Sequence, residues 1–152
     1  MQDATLVFLM RDNQILLGLK KNGFGGKIEA HETIEDAAAR ELREECGVQV
    51  DVNDLTRVAR LEFFFPAKPG WNQVVHAFLV ERWRGEPRET DEMQPIWFDT
   101  RAIPYAKMWA DDAHWLPLVL QGKRVEAIFT FKDDNETVKE ARITTPIVAL
   151  LE

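Results

Sequence analysis

The chain has 152 residues, of which 45% are hydrophobic and 30% charged, so it can form one domain with a buried core. Its net charge of −7 argues against a surface that binds nucleic acid directly. The single cysteine, Cys46, excludes an internal disulfide and favours a reducing compartment. The N-terminal residues carry neither a signal-peptide pattern nor an apolar run that could span a membrane, so we expect a cytoplasmic protein with no membrane partner.

The first half of the chain predicts a hairpin, a glycine-rich bend and one short helix. Apolar runs at 4–10 and 15–20 are separated by a turn sequence and predict paired strands. The glycine cluster at 22–26 predicts a sharp bend or a close approach of the backbone. The helix is expected to begin at Thr33, whose side chain can cap it, and to stop at Gly47.

The second half of the chain predicts further strands and a second helix. We expect strands at 57–65, 74–81, 96–98, 125–131 and 137–143, and a helix at 111–121 that contains Pro117. The chain has no internal repeat, linker or low-complexity segment. The order of strands and helices therefore predicts a single α+β domain over residues 1–152.

Three glutamates of the first predicted helix are the strongest sign of a metal site. Glu41, Glu44 and Glu45 are spaced i, i+3 and i+4 and share one helix face. One alternative is a solvated acidic face. However, Glu41 and Glu45 adjoin the apolar column of the helix, where a carboxylate needs a partner, and Arg40 alone does not balance three negative charges. A hard cation such as Mg²⁺ takes carboxylate ligands, so we predict a metal site here.

The spacing around these glutamates resembles the signature of the Nudix hydrolases. It comprises Gly26, Glu32 and the run Arg40-Glu41-Leu42-Arg43-Glu44-Glu45-Cys46-Gly47-Val48. The resemblance implies an α/β/α sandwich with a mixed central sheet, and hydrolysis of a substituted diphosphate that depends on Mg²⁺, or on Mn²⁺. It also implies a catalytic set and a ligand set. The catalytic set is Arg40, which orients a glutamate, with Glu44, Glu45 and Glu92, and the metal ligands are Gly26, Glu41, Glu44, Glu45 and Glu92.

A second group of residues bears on the substrate. Trp109 offers a ring on which a base can stack, and Asp111 and Asp112 offer carboxyl groups that can read the edge of a base. An equally supported alternative makes Trp109 and Trp115 core aromatics and Asp111 a helix cap. The residues alone leave both interpretations open.

A second resemblance is carried by the segments LLGLKK at 16–21, NGFGGK at 22–27, ETIED at 32–36 and MWADD at 108–112, among others. Through them, residues 4 to 132 resemble the oxidised purine nucleoside triphosphatases of the 8-oxo-dGTP diphosphatase type. The resemblance implies cleavage of a small-molecule nucleotide to the monophosphate and pyrophosphate, which sanitises the nucleotide pool, by a monomer or a homodimer. In this interpretation Asn22, Asp111 and Asp112 read the purine and Trp109 stacks on it. The pocket wall is implied to be Thr5, Lys20, Phe63, Met93 and Trp115.

Two departures from the family pattern keep alternatives open. Ala30-His31-Glu32 stands where the family usually has Glu-x-Gly-Glu, which we interpret as the loss of a glycine and an acid. Lys21 is followed directly by Asn22, where the family usually has a longer segment. We expect His31 to be exposed and Glu29 to replace part of the missing acid. The alternatives are hydrolysis of another nucleoside diphosphate derivative, such as ADP-ribose, or a weakly active ligand-binding module.

Overall fold

A computed structural model describes residues 1–18, 26–91 and 93–146. In chain order, these residues form β1 (Gln2–Arg11), β2 (Gln14–Gly18), α1 (Ile34–Cys46), β3 (Thr56–Phe64), β4 (Gln73–Val80), β5 (Pro95–Asp99), α2 (Asp112–Leu120), β6 (Val125–Phe131) and β7 (Val138–Thr144). Within that part of the chain, neither helix is long and apolar enough to cross a membrane.

The strands follow the order β5-β2-β1-β4-β3-β6-β7. β3 and β6 run parallel, whereas β1 with β2, β2 with β5, and β6 with β7 are antiparallel, so the sheet is mixed. A mixed sheet with two helices confirms the predicted α+β class. The predicted strands and hairpins are observed within one or two residues of their expected bounds, and residues 19 and 20 of the second predicted strand lie outside the described residues.

The described chain divides into two compact units, so the prediction of a single domain stays a prediction. One unit consists of Ala4–Arg57 and Ala77–Ile103. Its core contains residues of β1, β2, α1 and β4 together with Met93, and α1 contributes Ala38, Leu42 and Cys46 to it. These three positions are spaced i, i+4 and i+8, so α1 buries one stripe and leaves its other faces for chemistry.

The other unit consists of Met1–Asp3, Val58–His76 and Pro104–Glu152. Every second residue of β6 is buried, which is the alternation of a strand with one covered face. Phenylalanine rings from β3 and β6 stack on that face, with Phe63 and Phe129 centroids 5.6 Å apart. His76 is buried here with its Nε2 atom 3.0 Å from Oδ1 of Asp3.

Helix α2 in this unit runs from Asp112 to Leu120 with Pro117 inside it. Proline removes one backbone donor from the helix. The buried side chains of Trp115, Leu116 and Val119 offset that loss, since each large apolar side chain contributes roughly 1.5–3 kcal/mol on burial. The predicted helix therefore forms through the proline.

Candidate active site

Helix α1 has the two ends that its sequence predicted. The Thr33 hydroxyl accepts a hydrogen bond from the Asp36 amide at 3.1 Å. At the other end Gly47 adopts a left-handed conformation with φ +79°, and its amide donates to the Arg43 carbonyl at 2.9 Å. These ends determine which glutamates stand in the last turn of the helix.

The three glutamates of α1 differ in their exposure to solvent. Glu45 is buried with 6% of its surface exposed, the Glu41 side chain is 17% exposed and the Glu44 side chain is 55% exposed. The shared face therefore extends from the core edge at Glu45 to solvent at Glu44. A carboxylate as buried as that of Glu45 requires compensating charge or hydrogen bonds.

Arg40 is the centre of the charged network on α1. Its Nε and Nη2 atoms donate to the two carboxylate oxygens of Glu32 at 2.7 and 2.9 Å. Nη1 donates to Glu41 at 2.9 Å and to Glu44 at 3.2 Å, and Nη2 also donates to the Lys27 carbonyl at 3.1 Å. The hydrogen bond to Glu32 raises the pKa of Arg40, and the same bond lowers the pKa of Glu32. Arg40 thus holds Glu32, Glu41 and Glu44 in one arrangement.

Replacing Arg40 by lysine is expected to lower the melting temperature by about 5 °C, because an ammonium group cannot reproduce the planar fork of donors. Differential scanning calorimetry at pH 7 measures the change. Arg101→Lys is the matched control, since Arg101 makes a similar two-bond contact with Asp99 but its side chain is 85% exposed. A melting temperature for Arg40→Lys equal to that of the control would contradict a structural role for the network.

The loop before α1 makes a tight turn that presents Glu32 to Arg40. The Glu32 amide donates to the Glu29 carbonyl at 3.2 Å, and the Glu29 amide donates to the Glu32 carboxylate at 2.9 Å. His31 is exposed, as predicted, and has φ +70°, a conformation that favours glycine. Glu29 lies 3.8 Å from Arg40, so it adds only a weak ionic contact. The departure from the family pattern is therefore accommodated by a left-handed histidine.

Gly26 lies against the Glu41 carboxylate. A Cβ atom at Gly26 would stand 2.6–2.8 Å from the carboxyl atoms of Glu41, so any larger residue would displace that side chain. The Gly26 carbonyl accepts from the Thr5 amide at 2.8 Å, and the Thr5 hydroxyl lies 3.3 Å from both the nitrogen and the oxygen of Gly26. Thr5 therefore anchors the backbone that faces Glu41.

The oxygen donors around Arg40 fit a hard divalent cation by their chemistry. Carboxylates of Glu41, Glu44 and Glu45 share one face, and Gly26 leaves room for the first of them. Among residues 1–18, 26–91 and 93–146, no three His, Cys, Asp or Glu side chains are placed so that together they could hold a metal ion. Arg40 contacts Glu41 and Glu44 in the arrangement seen, and Glu92 lies outside the described residues. The oxygen atoms are therefore of the type that a hard cation binds, and Arg40 is the positive charge that contacts two of the three glutamates.

A second candidate site, in the other unit, is built around Asp111 and Asp112. Both aspartates are buried, and the Trp115 indole donates to Asp111 at 3.0 Å. Asp111 stands at the N-cap position of α2, but its side chain makes no capping hydrogen bond there. Burial, followed by the charge of Asp111, raises the pKa of Asp112 to about 9, and burial also raises the pKa of Asp111. Burial therefore favours the protonated form of Asp112, and a protonated carboxyl group can donate a hydrogen bond.

The remaining predicted substrate residues differ in accessibility. Trp109 is 49% exposed, which leaves its ring free to stack, whereas Trp115 is fully buried. Thr5, Phe63 and Met93 are buried as well. Lys20, Asn22 and Glu92 lie outside the described residues.

The contacts of Glu32 and Met93 were not predicted. Glu32 is the main partner of Arg40, although only its place in the signature marked it. The Met93 sulfur occupies the space that a Cβ atom at Gly18 would need. Glu32 precedes α1 and lies 8 positions before Arg40, and a long stretch of chain separates Gly18 from Met93. Local periodicity therefore carried no signal for either contact.

Comparison with known proteins identifies the family. A NUDIX domain is matched over residues 1–119. The chain belongs to the NUDIX family. The oxidized purine nucleoside triphosphate hydrolase of Danio rerio is 43% identical over 143 residues, which cover 89% of this chain and 90% of the relative. The enzyme of the same description from Mus musculus is 42% identical over 139 residues, which cover 86% and 87% of the two chains.

A solved structure supports the NUDIX fold. The crystal structure of a MutT protein from Bacillus halodurans superposes with a TM-score of 0.82 and covers 94% of this chain and 97% of its own. Its sequence identity is 24%, so this likeness concerns the fold alone. NUDIX hydrolases generally use divalent cations, in agreement with the donor chemistry around Arg40.

Proposed function

We propose that this NUDIX protein hydrolyses oxidised purine nucleoside triphosphates, such as 8-oxo-dGTP, to the monophosphate and pyrophosphate, and so sanitises the cytoplasmic nucleotide pool. The observation that carries the proposal is the identity of 42–43%, over most of the chain, with two relatives described as oxidized purine nucleoside triphosphate hydrolases. The network around Arg40 supports it, because that network supplies carboxylates of the kind that diphosphate hydrolysis requires.

In this proposal Mg²⁺, or Mn²⁺, is held by Glu41, Glu44 and Glu45, with the Gly26 carbonyl and Glu92. When bound, the cation neutralises phosphate oxygens and activates water. Glu44 is the carboxylate that moves most easily, since its ion pair with Arg40 is exposed and such pairs contribute little. Arg40 keeps Glu41 in place through its contact at 2.9 Å, and one carboxylate of the set accepts the proton of the attacking water.

For recognition of the base, we assign Asp111 and Asp112 as complementary readers. The protonated Asp112 donates to a carbonyl oxygen of the oxidised purine, and Asp111 accepts from a ring N–H group. The raised pKa of Asp112 supports this division of roles. Exposed Trp109 stacks on the base, and buried Trp115 holds Asp111 through its indole N–H.

The other assigned substrate residues complete the recognition. Asn22 reads the purine with the two aspartates, and Lys20 contributes to the pocket wall. Thr5, Phe63 and Met93 are buried, and Thr5 also holds Gly26.

The test is a panel of 8-oxo-dGTP, dGTP and ADP-ribose hydrolysed by the purified protein with Mg²⁺. We expect kcat/KM for 8-oxo-dGTP to exceed that for dGTP by at least about 10-fold, since the oxidised base supplies an extra carbonyl and N–H group. Equal kcat/KM values for 8-oxo-dGTP and dGTP would contradict the sanitation role but not the hydrolase activity. A preference for ADP-ribose would favour a nucleoside diphosphate derivative as substrate. Absence of turnover of every compound would contradict hydrolysis.

A further inference from the structure

Residues 84–90, here called the strap, lie along the C-terminal end of α1. The last carbonyls of a helix have no partner within it and require one from elsewhere. The Thr90 hydroxyl donates to the Glu45 carbonyl at 3.3 Å, and the Arg88 amide donates to the Cys46 carbonyl at 3.1 Å. Glu45 and Cys46 are the last two residues of α1, so the strap satisfies the carbonyls of both.

Arg88 and Arg84 add contacts on either side of these bonds. A Cβ atom at Gly47 would lie 2.6 Å from Nε of Arg88, so the guanidinium packs against the glycine that ends the helix. A positive charge at a helix C-terminus is favourable. Arg84 and Gln49 exchange two backbone hydrogen bonds at 2.8 and 3.0 Å. The strap is therefore attached both to the helix end and to the residues after it.

The far end of the strap is also held. Thr90 exchanges two backbone hydrogen bonds with Met93, at 2.9 and 3.3 Å. The Met93 side chain is buried and fills the space above Gly18 of β2. A hydroxyl carried by such a restrained backbone loses little entropy when it binds the helix carbonyl.

We infer that Thr90 is a positioning residue for Glu45, and that the strap keeps the metal-binding face of α1 in register. This inference rests on the proposed function. Helix ends fray, and the Glu45 carboxylate is carried by the penultimate residue of α1. A hydrogen bond to its own carbonyl restrains the turn from which that carboxylate extends. Loss of the bond should weaken metal binding at Glu45 without altering recognition of the base.

The test compares Thr90→Val with Thr90→Ser, which keeps the hydroxyl. Mn²⁺ alone is titrated while the melting temperature is recorded, and kinetics are then measured with Mg²⁺. For Thr90→Val we expect the half-saturating Mn²⁺ concentration to rise about 3- to 10-fold, the range expected for one hydrogen bond. We also expect kcat to fall with KM unchanged, and Thr90→Ser to retain both properties.

Thr144→Val is the matched control. The Thr144 hydroxyl also lies 3.3 Å from a backbone carbonyl, that of Glu126, and both residues belong to the unit that does not contain α1. Its Mn²⁺ response should equal that of the wild type. If Thr90→Val unfolds, Arg88→Met is used instead. This substitution removes the charge near Gly47 and keeps the hydrogen bond from the residue-88 amide to the Cys46 carbonyl. A rise of about 2-fold in half-saturating Mn²⁺ is then expected.

The inference is overturned if the variant used has a wild-type Mn²⁺ response, or if Thr90→Ser behaves like Thr90→Val. These outcomes differ from failure of the proposed function. If wild-type protein hydrolyses no nucleotide, the proposed function fails. If the strap variant retains wild-type Mn²⁺ binding while Glu45→Gln is inactive, only the role of Thr90 fails.

Discussion

Replacing Glu45 by glutamine is expected to lower kcat/KM for 8-oxo-dGTP by about 10²- to 10⁴-fold, the range for removal of a carboxylate that takes part in proton transfer. Glutamine keeps the shape of the side chain but loses its charge and most of its basicity. Because Glu45 is 6% exposed, removing its charge should leave stability unchanged or slightly raised. Steady-state kinetics with Mg²⁺ and thermal melting of the same sample separate the two effects.

Glu35→Gln provides the matched control on the same helix. Glu35 lies in the first turn of α1 and pairs with Arg57 at 2.9 Å, with its side chain 42% exposed. The substitution makes the same change of charge away from the Arg40 network, so kcat/KM should stay within about 2-fold of wild type. A Glu45→Gln enzyme as active as this control would remove Glu45 from the catalytic set.

Replacing Asp112 by asparagine is expected to make the protein more stable at pH 8 and to flatten the decline of stability with pH. The pKa of Asp112 is raised to about 9 in the folded state from its ordinary value of 3.8. Between these values the folded state holds a proton that the unfolded state has lost. Folding is therefore favoured at low pH, and the free energy of unfolding falls as the pH rises through this window.

Asparagine resembles the protonated acid and does not titrate. The expected gain at pH 8 is about 2 kcal/mol, or a rise in melting temperature of about 4–8 °C. Melting curves recorded from pH 5 to pH 9 measure how the melting temperature changes with pH. Asp134→Asn is the control: the pKa of Asp134 is lowered to about 2 by its bonds to Thr137 and Glu136, so its titration lies below this range. Parallel slopes for wild type and Asp112→Asn would contradict a protonated Asp112.

The same variant bears on recognition of the base. An amide in place of the protonated carboxyl keeps a donor, so Asp112→Asn should retain some preference for 8-oxo-dGTP over dGTP.

Asp111→Ala removes the carboxylate that accepts a hydrogen bond from the Trp115 indole at 3.0 Å. It should reduce the preference for 8-oxo-dGTP over dGTP more than it weakens Mg²⁺ binding. Equal losses of activity for all purine nucleotides would count against Asp111 as a reader.

Much of the metal-binding helix was determined by the sequence itself. Thr33 and Gly47 mark its ends by local chemistry, since a hydroxyl can cap the first turn and glycine tolerates the left-handed conformation that ends the last. The placement of Glu41, Glu44 and Glu45 on one face follows from helical geometry alone. Local rules suffice here because each of these residues lies within about one helical turn of the residue with which it interacts or shares a face.

Only the tertiary structure decided the environment of those glutamates. Helical spacing places Glu41 and Glu45 beside the apolar column, but it does not say that Glu32 is the main partner of Arg40. Nor does it say that Thr90 binds the end of the helix. Likewise, Asp111 could be a cap or a buried acceptor until Trp115 was seen to donate to it. Such contacts join residues on separate elements or set how deeply a side chain is buried. Both depend on how the whole chain packs, which periodicity within a single element does not encode.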